Sequence, residues 1–175
     1  VALNKTAHNN LRMRPTRGCF GFARTTNSVI LAGVEFSEAA KEYPIVFAEA
    51  GEGIVSVALL GVGNAENLFV AKGGNWDARY VPAFVRRYPF VLAETGTTAQ
   101  RVVCIDEGFP GFGTDEGEPL FVDNEPTPTL LQAMHFLEDY QIHYLRTELF
   151  LKRLQALELL VGLNARIDLV DGQQF

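Results

Sequence analysis

An octapeptide pattern that recurs with Tyr, Pro, Val, Ala and Glu at matching places constrains this chain more than any other feature. Glu42-Tyr-Pro-Ile-Val-Phe-Ala-Glu49, followed by Ala50-Gly51, returns forty-five residues on as Arg87-Tyr-Pro-Phe-Val-Leu-Ala-Glu94, followed by Thr95-Gly96. The flanks agree in type. A short helical stretch precedes each Tyr-Pro, at residues 35–42 and 80–87, and a turn and a second apolar run follow, at residues 54–60 and 101–105. Proline disfavours helical geometry in the residue before it, so each helix ends near Tyr43 or Tyr88. Its fixed φ and missing N–H suit the start of a strand. Ile45-Val-Phe47 and Phe90-Val-Leu92 are unbroken apolar runs, which predict strands covered on both faces. Gly51-Glu-Gly53 and Gly96-Thr-Thr98 read as hairpin loops. The spacing therefore predicts an α+β fold: a mainly antiparallel sheet built from two helix–strand–strand repeats, residues 35–60 and 80–105, plus a long C-terminal helix. The two repeats are expected to pack into one sheet, and residues 1–175 to form a single domain.

Between the repeats, Asn67–Ala71 reads as a further strand with Gly73-Gly74-Asn75 as its turn. After Ile105 the chain becomes rich in glycine, proline and acids, and residues 106–128 read as a long acidic loop with a short strand at 120–122. Thr127 or Thr129 can then cap a helix over 130–160 that stops at Gly162. Ile142, Leu145 and Leu149 form one apolar flank of that helix, and Phe136, Tyr140, Leu151 and Leu154 the other. A helix apolar on two sides wants two neighbours. The second is expected to be another copy of the chain, a homodimer through Leu131, Ile142, Leu145 and Leu149, or else a missing part of the same chain. Residues 166–170 read as a last short strand.

Charge is unevenly placed. Residues 1–24 hold Lys5, Arg12, Arg14, Arg17 and Arg24 and no acid, whereas 106–125 hold seven acids and no base. These segments attract each other, attract outside partners, or stay solvated as weak surface charges do. The net charge of −6 argues against a nucleic-acid binder. No apolar run approaches the roughly 20 residues of a membrane span, and residues 1–14 lack the apolar segment of a signal peptide. Two cysteines, Cys19 and Cys104, make neither a disulfide scaffold nor a zinc ribbon, and Cys104 in Val102-Val-Cys-Ile105 reads as a buried, unreactive thiol not bonded to Cys19. No phosphate loop, nucleophile elbow or zinc-protease helix occurs, and no cofactor is expected. His135, Asp139 and His143 share a helix face and are a weak metal alternative, set against nearby Arg146 and Arg153.

The residues that best suit ligand binding are Trp76, Asp77, Arg79 and Tyr80, with Arg86 and Arg87 one to two turns on, because aromatic and arginine side chains together favour a binding surface. A structural role for the same cluster is favoured slightly more: Asp77 as helix cap, Pro82 in the first turn and Trp76 on the core.

Several runs resemble the SapC-like bacterial proteins. They are Leu3–Arg12, Leu31–Phe47, Glu66-Asn-Leu-Phe69, Trp76–Phe90, Val103-Cys-Ile-Asp106 and Gly117-Glu-Pro-Leu-Phe121. The resemblance covers nearly the whole chain and implies a protein that normally continues past Phe175, so a C-terminally shortened form is expected. It implies, by name, a link to the bacterial surface layer, and no catalytic residues come with it. The leading expectation is a non-enzymatic accessory or binding protein. The alternative is an enzyme or enzyme partner acting on a small molecule or peptide, associated with halogenase- and TonB-receptor-type systems. The family name suggests the cell surface. The residues favour the cytoplasm, because unpaired cysteines fit a reducing compartment.

Overall fold

The computed structural model describes residues 1–14, 19–51, 53–95 and 100–163. The expected loop at Gly96–Thr98 and the expected strand at 166–170 lie outside them. In chain order the strands are β1 (Arg12–Met13), β2 (Ser28–Ile30), β3 (Ile45–Ala50), β4 (Gly53–Leu59), β5 (Phe90–Thr95), β6 (Gln100–Ile105), β7 (Phe112–Gly113), β8 (Glu118–Pro119), β9 (Phe121–Val122) and β10 (Glu125–Pro126). The helices are α1 (Phe36–Ala39), α2 (Ala83–Arg86) and α3 (Pro128–Ala156), with 3-10 turns at Phe20–Ala23 and Gly33–Glu35. The class is α+β, with antiparallel sheets and a long C-terminal helix.

The chain forms two compact units. A terminal unit joins Val1–Cys19 to Arg86–Ile142, and a central unit joins Phe20–Val85 to His143–Phe175. In the central unit β4 lies between β2 and β3, and Ala50 pairs with Gly53 across a tight turn whose Gly51 sits at φ +59°. Val29, Leu31, Tyr43, Ala58, Leu60 and Val85 make its core, with Phe69, Trp76 and Phe84 against them. In the terminal unit β5 pairs with β6 over six residue pairs, and β1 is held between β7 and β8. Phe90, Ile105, Leu120, Leu130 and Leu137 are buried there.

Both stretches carrying the octapeptide run helix, Tyr-Pro, strand, strand. The two hairpins nevertheless belong to separate sheets, which corrects the expectation of one sheet. The reason is local competition for hydrogen bonds. The outer edge of β4 is taken by β2, through Ser28↔Leu59 to Ile30↔Val57. The outer edge of β6 is taken by the first three residues, with Leu3 N–H donating to Val103 O and Ile105 N–H to Val1 O, each at 2.8 Å. Each flanking segment pairs over only about three residues, too short a stretch to announce itself as a strand. β3 is also less covered than its apolar run suggests, with Phe47 and Glu49 exposed. Cys104 is half-buried rather than buried, and no disulfide joins it to Cys19.

Two further corrections have simple causes. Residues 67–71 form no strand; a single bridge, Val70↔Trp76, closes the turn instead. Asn67 bends the chain there, because its Oδ1 accepts Phe69 N–H at 2.9 Å and its Nδ2 donates to Ala23 O at 2.9 Å. The helix before the second Tyr-Pro begins only at Ala83, since Val81 precedes a proline.

α3 starts as expected. Thr127 accepts Leu130 N–H at 3.5 Å and Pro128 takes the first helical position, where its missing N–H costs nothing. It stops at Ala156, before Gly162. Glu158 turns left-handed (φ +53°), its N–H donates to Gln155 O, and Leu159 N–H reaches back to Leu154 O at 3.1 Å. That is the Schellman bond pattern on a residue that carries a Cβ. Glu158→Gly removes the steric cost of the left-handed region and is expected to stabilise the protein by about 0.5–1 kcal/mol. Chemical denaturation reads this as a higher midpoint at unchanged slope. Among the described residues no helix is long and apolar enough to cross a membrane.

Candidate functional site

The sequence-predicted cluster separates into three environments. Trp76 and Tyr80 enter a polar network inside the central unit. Trp76 stacks on Phe69, meets Phe20 edge-on, and donates its indole N–H to the Tyr43 hydroxyl at 2.8 Å. Tyr43 in turn donates to Tyr80 O, and burial pushes its phenol up to about 12. Tyr80 donates its hydroxyl to Glu35 Oε1 at 2.7 Å. The same oxygen accepts Ala83 N–H at 2.7 Å, and Oε2 accepts Ala32 N–H at 2.8 Å. Glu35 is buried, so its carboxylate, not Asp77, holds the start of α2. Asp77 and Arg79 are exposed. Just beside them the Glu42 carboxylate accepts Arg79 N–H and Tyr80 N–H, at 2.9 and 2.8 Å, and these bonds hold its carboxyl below the usual range.

Arg86 and Arg87 belong to the terminal unit. Their guanidinium groups lie over Phe136 and Tyr140, one turn apart on α3, at 5.0 and 5.4 Å from the ring centres. Burial lowers the Arg87 pKa. Nearby, Tyr88 donates to Asp106 Oδ2 at 2.8 Å, and its phenol is pushed up to about 12 by burial and by that bond. The Tyr88 hydroxyl and Gly108 N–H together lower the Asp106 carboxyl.

Among the described residues no three His, Cys, Asp or Glu side chains come together to hold a metal ion. His135, of the weak metal alternative, lies 3.8 Å from Glu138 on the exposed side of α3.

A cleft that the sequence did not single out lies in the terminal unit. It encloses about 350 Å³ and is lined by Asn9, Asn10, Arg12, Thr114, Pro119, Phe121, Val122 and Asp123. Arg12 of β1 and Pro119 of β8, neighbours in one sheet, contribute to its lining. Gly117, at φ +102°, lets the chain turn back onto β1; a Cβ there would come 2.5 Å from Met13 O. One wall is the β9–β10 hairpin, whose tip residues Asp123 and Asn124 are both left-handed, at φ +52° and +64°, as a two-residue turn of matching twist requires. The other wall is the turn before β1. Asn4 Oδ1 accepts Thr6 N–H at 2.7 Å, and His8 accepts Asn4 N–H at Nδ1 while its Nε2 lies 3.1 Å from Glu107 Oε1.

The basic start of the chain thus meets the acidic loop, one of the outcomes the charge pattern leaves open. Arg12 donates to Gly117 O at 3.0 Å and Arg14 lies 3.6 Å from Glu116. Two signals could have found the cleft. One is that charge complementarity. The other is Asp123-Asn124 between two extended pairs.

The sequence profile of the SapC family matches residues 3–175. Neither a curated protein nor a solved structure matches the chain.

Proposed function

The chain belongs to the SapC family, and we propose that it serves there as a non-catalytic binding protein of the bacterial surface layer, working through the cleft of the terminal unit. The chemistry of the cleft lining carries this reading. Among the described residues it offers carboxamides, a hydroxyl, a guanidinium and one carboxylate, with no imidazole and no thiol. Acid–base work on a bond needs a proton donor and an acceptor with separated pKa values, and nucleophilic work needs an activated side chain. A single exposed carboxylate supplies neither pair. The groups that look most catalytic, Glu35 with Tyr80 and Tyr43 with Trp76, already satisfy one another inside the central unit. What the cleft does have is a set of hydrogen-bonding groups around an apolar patch, which is how small-ligand sites are built.

Purified protein incubated with bacterial envelope fractions tests the reading. The native protein is expected to sediment with the envelope. A variant carrying Asn9→Ala, Asn10→Ala and Asp123→Asn is expected to do so about tenfold less, a loss of about 1.4 kcal/mol. Conversion of a small molecule or peptide from the same fraction, seen by mass spectrometry and lost in the variant, would establish the enzyme reading instead.

A further inference from the structure

We infer that the cleft takes a neutral carbohydrate of one or two rings, an inference that rests on the binding role and names its ligand. Charge narrows the class first. Among the described residues the lining carries one cation, Arg12, and one anion, Asp123. A phosphorylated or strongly acidic ligand would want several cations with no carboxylate beside them. A metal ion would want several carboxylates. A balanced pair suits a ligand without net charge.

The pattern of polar groups narrows it further. A sugar hydroxyl both donates and accepts, so a ring of them is best met by groups that do the same. Asn9 and Asn10 each present a carbonyl oxygen and an NH₂, and Thr114 adds a hydroxyl. Asp123 offers two acceptors and Arg12 a planar fork of donors, and both shapes can span neighbouring hydroxyls. Arg12 is already fixed by its bond to Gly117 O at 3.0 Å, so its plane is set before a ligand arrives. Phe121 is half-buried on the cleft wall and supplies the apolar surface that the C–H face of a sugar ring needs. A hydrocarbon ligand would find too little of such surface here.

Rigidity supports the same conclusion. The walls are a hairpin with its turn residues in the left-handed region and a turn held by Asn4 and by His8 on Glu107. A backbone held in this way loses little entropy on binding, which matters for a ligand that exchanges hydrogen bonds with water for similar ones with protein.

The test is an amide NMR titration of the whole chain with glucose, galactose, N-acetylglucosamine, maltose and lactose, and separately with inorganic phosphate and glucuronate. At least one neutral sugar is expected to shift the amides of Asn9, Asn10, Thr114 and Asp123 in the millimolar range. Asn9→Ala combined with Asp123→Asn is expected to weaken that binding about tenfold. Both residues are exposed and asparagine tolerates the left-handed turn, so the melting curve of this variant should match the native one. If no neutral sugar moves these amides at saturating concentration, the carbohydrate assignment is wrong. If phosphate, glucuronate or an added peptide moves them instead, the assignment fails while the binding reading survives. If a sugar binds and is chemically altered, the binding reading fails and the ligand class stands.

Discussion

Glu35→Ala is expected to destabilise the protein by about 3–5 kcal/mol, a loss far above that of an ordinary surface substitution. The carboxylate is buried and accepts Ala32 N–H, Ala83 N–H and the Tyr80 hydroxyl. Truncation removes three charge-assisted bonds at once. It also strands two backbone donors in a place that water reaches poorly, and an unsatisfied buried donor costs about 1–3 kcal/mol. Glu35→Gln keeps one acceptor oxygen but turns an NH₂ toward another donor, so an intermediate loss of about 2 kcal/mol is expected. Tyr80→Phe leaves both backbone bonds in place and should cost about 1 kcal/mol. The exposed Glu38, paired with Lys41 at the surface, is the control, and Glu38→Ala should move stability by less than about 0.5 kcal/mol. Urea unfolding of the four variants checks the order. If Glu35→Ala behaves like the Glu38 variant, the network does not hold the central unit together.

Glu35 also illustrates what the sequence conceals. It sits in Gly33-Val-Glu-Phe-Ser-Glu38, where it looks like any acid on a helix surface. Two of its three partners come from residues 80 and 83, and no periodicity links segments that distant. The repeated octapeptide was more legible, because proline, turn glycine and apolar runs act locally. Yet identical letters received different surroundings. Tyr43 is buried and bonded to Trp76 and Tyr80, while Tyr88 meets Asp106 and the edge of Phe109. The same local code thus produced the same order of elements without a common sheet. The candidate ligand residues stand out by aromatic and arginine content, yet the Trp76 indole bonds Tyr43, the Tyr80 hydroxyl bonds Glu35, and the Arg86 and Arg87 guanidinium groups lie over Phe136 and Tyr140. The cleft leaves no such mark in the sequence. Asn9, Asn10, Thr114 and Asp123 are ordinary turn residues, and only the pairing of β1 with β7 and β8 brings them to one place.

A chain of this kind is expected to dimerise through α3, and Leu145→Glu with Leu149→Glu is expected to give a monomer. The helix spans 29 residues, about 44 Å at 1.5 Å per residue. Leu137, Tyr140 and Leu151 are buried on one flank, while Ile142, Leu145 and Leu149 are 47%, 40% and 67% exposed on another. Those three follow the spacing of three and four residues that makes a continuous apolar stripe. Charge decides the occupant. Glu138 and Asp139 precede the stripe, and Lys152 and Arg153 follow it. A second copy laid antiparallel about a twofold axis between residues 145 and 146 sets each acidic pair against the partner's basic pair, while a parallel copy sets like against like. The double glutamate variant would bury four carboxylates in the dimer without partners, so association should weaken by more than about a hundredfold. The fold of each protomer should persist, since both side chains are already exposed. Sedimentation equilibrium reads the first effect and circular dichroism the second. Orientation has its own check. Glu138→Lys with Asp139→Lys should weaken the dimer by about tenfold, as should Lys152→Glu with Arg153→Glu, and combining all four should restore it. Restoration cannot follow from a parallel pair or from a general loss of charge balance. A native chain that stays monomeric at high concentration would sink the prediction outright.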